Sequence, residues 1–368
     1  MALLRFLKKN TVFSVAAAAA LVTAFFVPPD GEYLSYFDGK TLACLFLTLA
    51  VVCALRNIKF FTILARRIVA FSGNLRALFM VLVVITFLGS MLIANDMALI
   101  TFLPLGYFAL SVSENEEHMA YLFVLQNISA NLGGMLTPFG NPQNLYLYSY
   151  FHIPTGEFCA IMLPPFLLAV AMLLGACLVI RPKPLSLESG LSERLNGKKT
   201  ALYLTLFLLS VLIVFRVIPY LWGLALIPAV IFFSDRNALF DVDYPLLGTF
   251  VFFFIFAGNL SRMDSVHRFF SALLEENTLL VSVLSCQVIS NVPTSILLSR
   301  FTENYRDLLL GVNIGGTGTL IASLASLITF SEYRILYPGR GKHYFLLFTA
   351  VNAIFLVVMT LFCMLLPR

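Results

Sequence analysis

Apolar stretches long enough to cross a bilayer alternate with short polar or basic segments along nearly the whole chain. The first covers residues 11–27, behind Lys8 and Lys9, and the second covers 41–55. Residues 56–76 mix Arg56, Lys59, Arg66, Arg67 and Arg76 with apolar side chains, the pattern of an amphipathic helix lying along a membrane interface. From 77 to 112 the chain is apolar except at Asn95 and Asp96. That stretch is too long for one span of about 20 residues and too short for two spans with an ordinary loop. It predicts a helix followed by a re-entrant hairpin near 94–112, with Asn95 and Asp96 at its tip. A charged loop at 113–118, with a solvated His118, closes the hairpin. Further spans are predicted over 158–180, 201–217, 221–233, 244–260 and 344–366, with a second amphipathic stretch over 261–276.

One stretch occurs twice. Residues 131–145, NLGGMLTPFGNPQNL, and 313–327, NIGGTGTLIASLASL, share Asn131/Asn313, Gly133/Gly315, Gly134/Gly316, Thr137/Thr319 and Leu145/Leu327. Each follows an asparagine in otherwise apolar sequence, Ala94-Asn95-Asp96 in one case and Ser290-Asn291-Val292 in the other. Asn95 precedes Asn131 by 36 residues and Asn291 precedes Asn313 by 22, the extra length falling at the charged loop. The chain therefore divides into an N-terminal helix (1–40), a first repeat (41–180), a linker (181–200) and a second repeat (201–368). The hairpins are expected near 94–112 and 285–301, and the broken helices near 131–145 and 313–327. Interrupted apolar segments at corresponding positions of two halves point to the binding site of a secondary transporter.

Of the 368 residues, 60% are hydrophobic and 12% charged, and the mean hydropathy is +0.92. The sequence lacks the alternating ten-residue segments of a membrane barrel, so the spans must satisfy their backbones as helices. The fold class is an all-α polytopic membrane protein embedded in a lipid bilayer. The net charge of +5 resides in short loops beside spans. It therefore reports orientation, with the N-terminus and the linker cytoplasmic, and not a nucleic-acid partner. Six cysteines (Cys44, Cys53, Cys159, Cys177, Cys286, Cys363) lie in apolar runs without a CxxC pair, so they read as packing residues and indicate neither disulfides nor zinc. The basic start followed by an apolar run mimics a signal peptide, and we read it as an uncleaved first helix.

A helix broken inside a membrane exposes backbone groups that need partners, so it persists where protein covers it or where it lines a wet cavity. Half-helix N-termini favour anions, and unwound carbonyls favour sodium or protons. Gly133, Gly134, Gly315 and Gly316 allow close approach and positive φ. Thr137, Asn141, Gln143, Asn144, Thr319, Ser323 and Ser326 supply neutral hydrogen-bonding groups beside them. The bland reading of the glycines is helix packing through small residues. Asp96 is the only one of the 19 acids set deep in an apolar run. An acid there costs about 2.5–3.5 kcal/mol, so it reads as a cation ligand or proton carrier, with an N-cap role as the alternative. Cofactors are not indicated beyond Na+ or H+ as coupling ion. HExxH is absent, none of His118, His152, His267 and His343 lies deep in a span, and Ser290 has no evident base, which argues against an intramembrane enzyme.

The segments ANDMALITFLPL, NLGGMLTPFGNPQNL, SNVPTSILLS and NIGGTGTLIASLASL resemble the ion transporter superfamily, and within it the citrate-transporter-like, anion-permease branch. That superfamily includes dicarboxylate/sodium symporters, arsenite efflux subunits and sodium/proton antiporters. The resemblance implies two inverted repeats, each with a re-entrant hairpin and an unwound helix. It also implies alternating access, frequent homodimers, and a place in a bacterial inner membrane. In the symporters a Ser-Asn-Thr at each hairpin tip binds substrate carboxylate and helps ligate sodium. Here Asn95 and Asn291 match, Ser290 matches, and Thr294 is displaced. Substrate binding is therefore expected at Asn95, Asn141, Gln143, Asn144, Ser290, Asn291, Thr294, Thr319 and Ser323. Cation coupling is expected at Asn95, Asp96, Gly133, Gly134, Thr137, Asn291, Gly315 and Gly316, with Na+ on Asn95, Asp96 and Asn291. The reading is a cation-coupled secondary transporter of small inorganic or organic anions. Its alternatives are arsenite or antimonite efflux, sodium/proton exchange and, behind these, a passive channel. There is no P-loop, so ATP coupling would need a partner subunit.

Overall fold

The computed structural model describes residues 10–185 and 195–366. Lys8, Lys9 and the linker residues Glu188, Glu193 and Arg194 lie outside the described residues. The described chain is helical throughout, without a strand: α1 Thr11–Phe26, α2 Gly39–Asn57, α3 Phe60–Val69, α4 Leu75–Ile93, α5 Asn95–Val112, α6 Met119–Gly133, α7 Pro142–Tyr150 and α8 Thr155–Cys177 form its first part. After the linker come α9 Gly197–Val214, α10 Tyr220–Phe240, α11 Tyr244–Ser261, α12 Asp264–Ile289, α13 Asn291–Leu298, α14 Tyr305–Ile314, α15 Leu324–Leu336 and α16 Gly341–Leu365. Nine of these helices are long and apolar enough to cross a membrane.

One of the nine, α12, is broken at Asn277 (φ −161°, ψ 87°), whose side-chain oxygen accepts from Leu280 N at 3.0 Å and so starts a second helix. Neither piece reaches about 30 Å at 1.5 Å per residue. The first piece is the amphipathic stretch expected over 261–276. The second is the first arm of a hairpin that turns at Ser290 and returns as α13. The first-half hairpin differs from expectation. No hairpin forms within 94–112: α5 is one helix, and it pairs across a turn at Ala94 with α4, so that α4 is the hairpin's first arm and α5 its second. Gln126 on α6 fixes the pairing by donating to Thr86 Oγ1 and to Phe102 O, both at 3.1 Å, eight residues before and after the turn at Ala94.

The helices form two groups. In one, α1 lies along α11, and α2 lies against α9 and α10; in the other, α4–α8 pack with α12–α16. The groups meet where α11 packs on α13 and α2 on α7. Helices α1 and α11 run parallel: a Cβ at Gly248 would lie 2.6 Å from Phe13, and Asn259 Nδ2 donates to Thr23 Oγ1 at 3.2 Å. At their starting face, Asn57 binds Asp235 and Asp241 at 3.1 and 3.2 Å. At the opposite face Arg262 forms a two-pronged pair with Asp30 at 2.7 and 3.1 Å. The open end of the first hairpin is tied to the linker approach, where Asn74 bridges to Pro184 and Lys183 donates to Asn115 at 3.2 Å. The open end of the second lies beside the Asp30 loop, where Arg300 donates to Tyr36 O at 2.7 Å.

Candidate functional site

The hairpin tips are built alike. Ala94 (φ 62°, ψ 156°) and Ser290 (φ 74°, ψ 158°) occupy the same backbone conformation, one that side-chain-bearing residues rarely adopt. The following asparagine then turns its side-chain oxygen back onto the next N–H. Asn95 Oδ1 accepts from Asp96 N and Asn291 Oδ1 from Val292 N, both at 2.9 Å. Short polar side chains tolerate such local pairing, which explains asparagine at both tips.

The repeated threonines brace these tips. Thr137 Oγ1 donates to Met91 O at 3.1 Å and Thr319 Oγ1 to Gln287 O at 3.0 Å, each the carbonyl three residues before its tip. The repeated asparagines anchor the ends of the broken helices: Asn131 Nδ2 donates to Asn127 O at 3.2 Å and Asn313 Nδ2 to Leu309 O at 2.8 Å. Asn131 also accepts from Asn95 Nδ2 at 3.3 Å, joining the first tip to the first break. Asn313 reaches the other half, donating to Asn144 Oδ1 at 2.6 Å. In return Asn127 meets Ser326 at 3.4 Å. The amide of Asn144 serves the unwound segment, with Gly134, Met135 and Thr137 carbonyls at 3.1, 3.3 and 3.3 Å.

Of the roles expected for the four glycines, close approach is present and positive φ is not at Gly133, Gly134 and Gly315, which all have right-handed helical angles. A Cβ at Gly133 would lie 2.2 Å from Phe87 O and 2.5 Å from Ser90 Oγ on α4, and one at Gly315 would lie 2.8 Å from Cys286 on α12; Ser90 and Cys286 each stand four residues before their tip. A Cβ at Gly316 would meet Asn291 Nδ2 at 3.0 Å and Asn131 Oδ1 at 3.6 Å, so the second tip and the first break also adjoin. The positive φ belongs instead to Gly318 (φ 113°).

Both tips open into one cavity of about 600 Å3 between the two helix groups. Asn95, Asp96, Ser290 and Asn291 line it, and Pro142 and Leu324, the first residues of α7 and α15, border it. The other expected site residues do not: Asn141, Gln143, Asn144, Thr294 and Ser323 are buried in the protein around it, and Thr137 and Thr319 are the braces just described. Asp96 is not a cap. Its N–H is held by Asn95, while its own Oδ1 is buried without a partner in the first turn of α5, where the helix dipole favours a carboxylate.

Two further carboxylates line the cavity that sequence reasoning missed, Asp243 and Glu332, along with Thr249 and Ser331. Asp243 caps α11, accepting from Leu246 N at 2.9 Å, and reads in sequence as an ordinary span end. Glu332 was legible: Leu324, Leu327, Ile328, Ser331 and Glu332 follow the helical period along one face of α15, and all five line the cavity. No Lys, Arg or His lines it among the described residues. Asn10 to Phe13 border it too, so among the described residues it extends to the face where α1 begins.

A family model described as citrate transporter matches residues 1–304. The chain is 31% identical over 299 residues to a transporter of Methanocaldococcus jannaschii, covering 81% of this chain and 82% of that one. It is 29% identical over 338 residues to inner membrane protein YbiR of Escherichia coli, covering 88% of each. It is 30% identical over 172 residues to a silicon efflux transporter of rice, Oryza sativa, covering 46% of this chain and 35% of that protein. With its apolar helices and its paired hairpins and broken helices, this polytopic chain belongs to the citrate transporter family of membrane transporters.

Proposed function

We propose that the protein is a cation-coupled secondary active transporter of a small, oxygen-rich anion, using H+ or Na+ and alternating access, in the inner membrane of a bacterium and as a homodimer. The observation that carries this reading is the cavity at which both tips converge, with the unpartnered Asp96 oxygen among its lining groups. Asn95, Asp96 and Asn291 offer side-chain oxygens suited to Na+, and Asp96 can instead take a proton. With Asp96, Asp243 and Glu332 around it and no basic group among its described lining residues, a free dianion is repelled, so an anion must arrive with cations. The duplicated tips, and the opposite ends at which the hairpins open, support inverted repeats. The opening beside Asn10 supports an inward-open state, because Arg56, Lys59, Arg66 and Arg67 mark that face as cytoplasmic.

The three carboxylates also favour a second reading, efflux of a neutral oxyacid. The relative from rice, named a silicon efflux transporter, agrees with it, as does the Asn95-Asp96 tip, which resembles that of the arsenite efflux subunits. One experiment separates the two: melting of the purified chain with citrate, succinate, phosphate, sulfate, arsenite and silicic acid, in sodium and in choline, at two pH values, for wild type and Asp96→Asn. A ligand at roughly 100 Kd stabilises by about 2.7 kcal/mol. Stabilisation by an anion only with sodium or only at low pH, lost in Asp96→Asn, upholds the first reading. Cation-independent stabilisation by arsenite or silicic acid upholds the second. No response to any solute, with Asp96→Asn merely less stable throughout, overturns both.

A further inference from the structure

A second cavity, of about 590 Å3, lies at the turn between α15 and α16, away from the hairpin tips. Arg334 and Lys342 line its polar side, Phe330 and Phe345 its apolar side, and Pro338 and Gly339 the turn between them. The Arg334 guanidinium lies 5.5 Å from the centre of the Phe330 ring, and a Cβ at Gly341 would sit 3.3 Å from the Arg334 stem, so the arginine is held by its stem with its head free. None of the ion pairs among the described residues uses Arg334, Arg340 or Lys342, and no acid lines the cavity. The side chain of Arg340, at the start of α16, leaves the helix's first N–H groups uncapped, which adds positive potential at the same place. Because α16 is a 25-residue apolar span, its first turn sits at the membrane interface, with Phe345 45% exposed just below.

We propose that this cavity binds the phosphate of an anionic membrane lipid, the phosphate on Arg334 and Lys342 and the glycerol and first acyl carbons against Phe330 and Phe345. Basic cavities between membrane helices suit such headgroups, and the aromatic walls have no use for free phosphate. Helix α15 also carries Ser331 and Glu332 into the transport cavity, so an occupied lipid site holds one wall of that cavity.

The test uses the full chain in a neutral detergent, with thermal unfolding and native mass spectrometry in phosphatidylglycerol, phosphatidylcholine of the same acyl chains, or inorganic phosphate. Phosphatidylglycerol should raise the melting midpoint and remain as one retained lipid per chain. Arg334→Gln/Lys342→Gln, at two exposed positions, should lose both effects, and Lys342→Gln alone should weaken them. Arg66→Gln/Arg67→Gln, which removes the same charge from α3, should keep both. Stabilisation by inorganic phosphate as strong as by phosphatidylglycerol, lost in Arg334→Gln/Lys342→Gln, upholds the phosphate site and assigns it to the free anion. An equal response to phosphatidylcholine, or an undiminished response in Arg334→Gln/Lys342→Gln, overturns the proposal. So does an equal loss in both double variants.

Discussion

Asn144→Leu keeps the bulk of a buried side chain and removes its polarity. Its amide donates to the Gly134, Met135 and Thr137 carbonyls and its oxygen accepts from Asn313 at 2.6 Å. A side-chain hydrogen bond between membrane helices averages about 0.6 kcal/mol, and were that all, the change would barely register. The Thr137 carbonyl also accepts from Gly140 N at 3.2 Å, but the Gly134 and Met135 carbonyls lose the amide that serves them, and each buried group left unpaired costs about 1–3 kcal/mol. Two amide hydrogens serve at most two carbonyls at once, and Asn313 keeps a second acceptor in Leu309 O at 2.8 Å, so two orphaned groups set the cost. The expected loss is about 2–6 kcal/mol, towards the lower end if water enters. Equilibrium unfolding of wild type, Asn144→Leu, Asn313→Leu and the double variant in detergent measures it. The double variant should fall short of the sum by about 0.5–3 kcal/mol, since both single changes break one shared bond. Stability within about 0.5 kcal/mol of wild type, together with a lost solute response, would refute the reasoning. Asn144 would then be a ligand and not a strut.

Gly133→Ala places a methyl 2.2 Å from a backbone oxygen, whereas Gly156 has nothing within 4 Å. The first should cost at least about 1–3 kcal/mol and the second should be neutral or stabilising, and matched melting temperatures would contradict the contact between α4 and α6. Ala94→Gly should relieve about 1–3 kcal/mol of backbone strain against about 0.5–1 kcal/mol of added chain entropy, so the variant should melt at or above wild type; a clear loss would mean the tip is unstrained. Arg262 holds the Asp30 carboxyl below its ordinary value of 3.8. The pair therefore stabilises above that value and fades as pH falls through the lowered one, so the deficit of Asp30→Asn at pH 7 should shrink towards pH 3, and a pH-independent deficit would discount the charge.

The repeat was legible because the geometry that duplicates the tips demands particular residues. Only a residue without a side chain fits between Gly133 and Phe87, and only a short amide folds back onto the next N–H at Asn95 and Asn291. Those demands fix residue types at fixed spacing, which a sequence displays. Which of the polar residues near a break face the cavity and which stay in the protein depends on the rotation of short helices such as α7, and nine residues carry no such period. Asn141, Gln143 and Asn144 therefore looked like ligands and are buried, whereas Asp243 looked like a span end and lines the cavity. The first hairpin is hard to place in sequence for a related reason: a uniformly apolar arm is indistinguishable from a span until Gln126 shows which residues it pairs.

The tips share a backbone and differ in charge. Asp96 and Val292 follow equivalent asparagines, each with its N–H held at 2.9 Å, so valine is a side chain this geometry accepts. An acid in a span costs about 2.5–3.5 kcal/mol, and a helix N-terminus returns about 0.3–1 kcal/mol, or about 2 in the best geometry. Roughly 0.5–3 kcal/mol remains uncompensated unless a cation or proton joins Asp96. On the proposed function, Asp96→Val should therefore make the protein more stable than wild type by about that amount in choline at neutral pH. The advantage should shrink when sodium is added or the pH is lowered, because only the wild type has a site to fill. Unfolding midpoints in the four conditions decide it. Should Asp96→Val be the less stable protein in all of them, Asp96 holds the tip together, and the cation belongs elsewhere in the cavity.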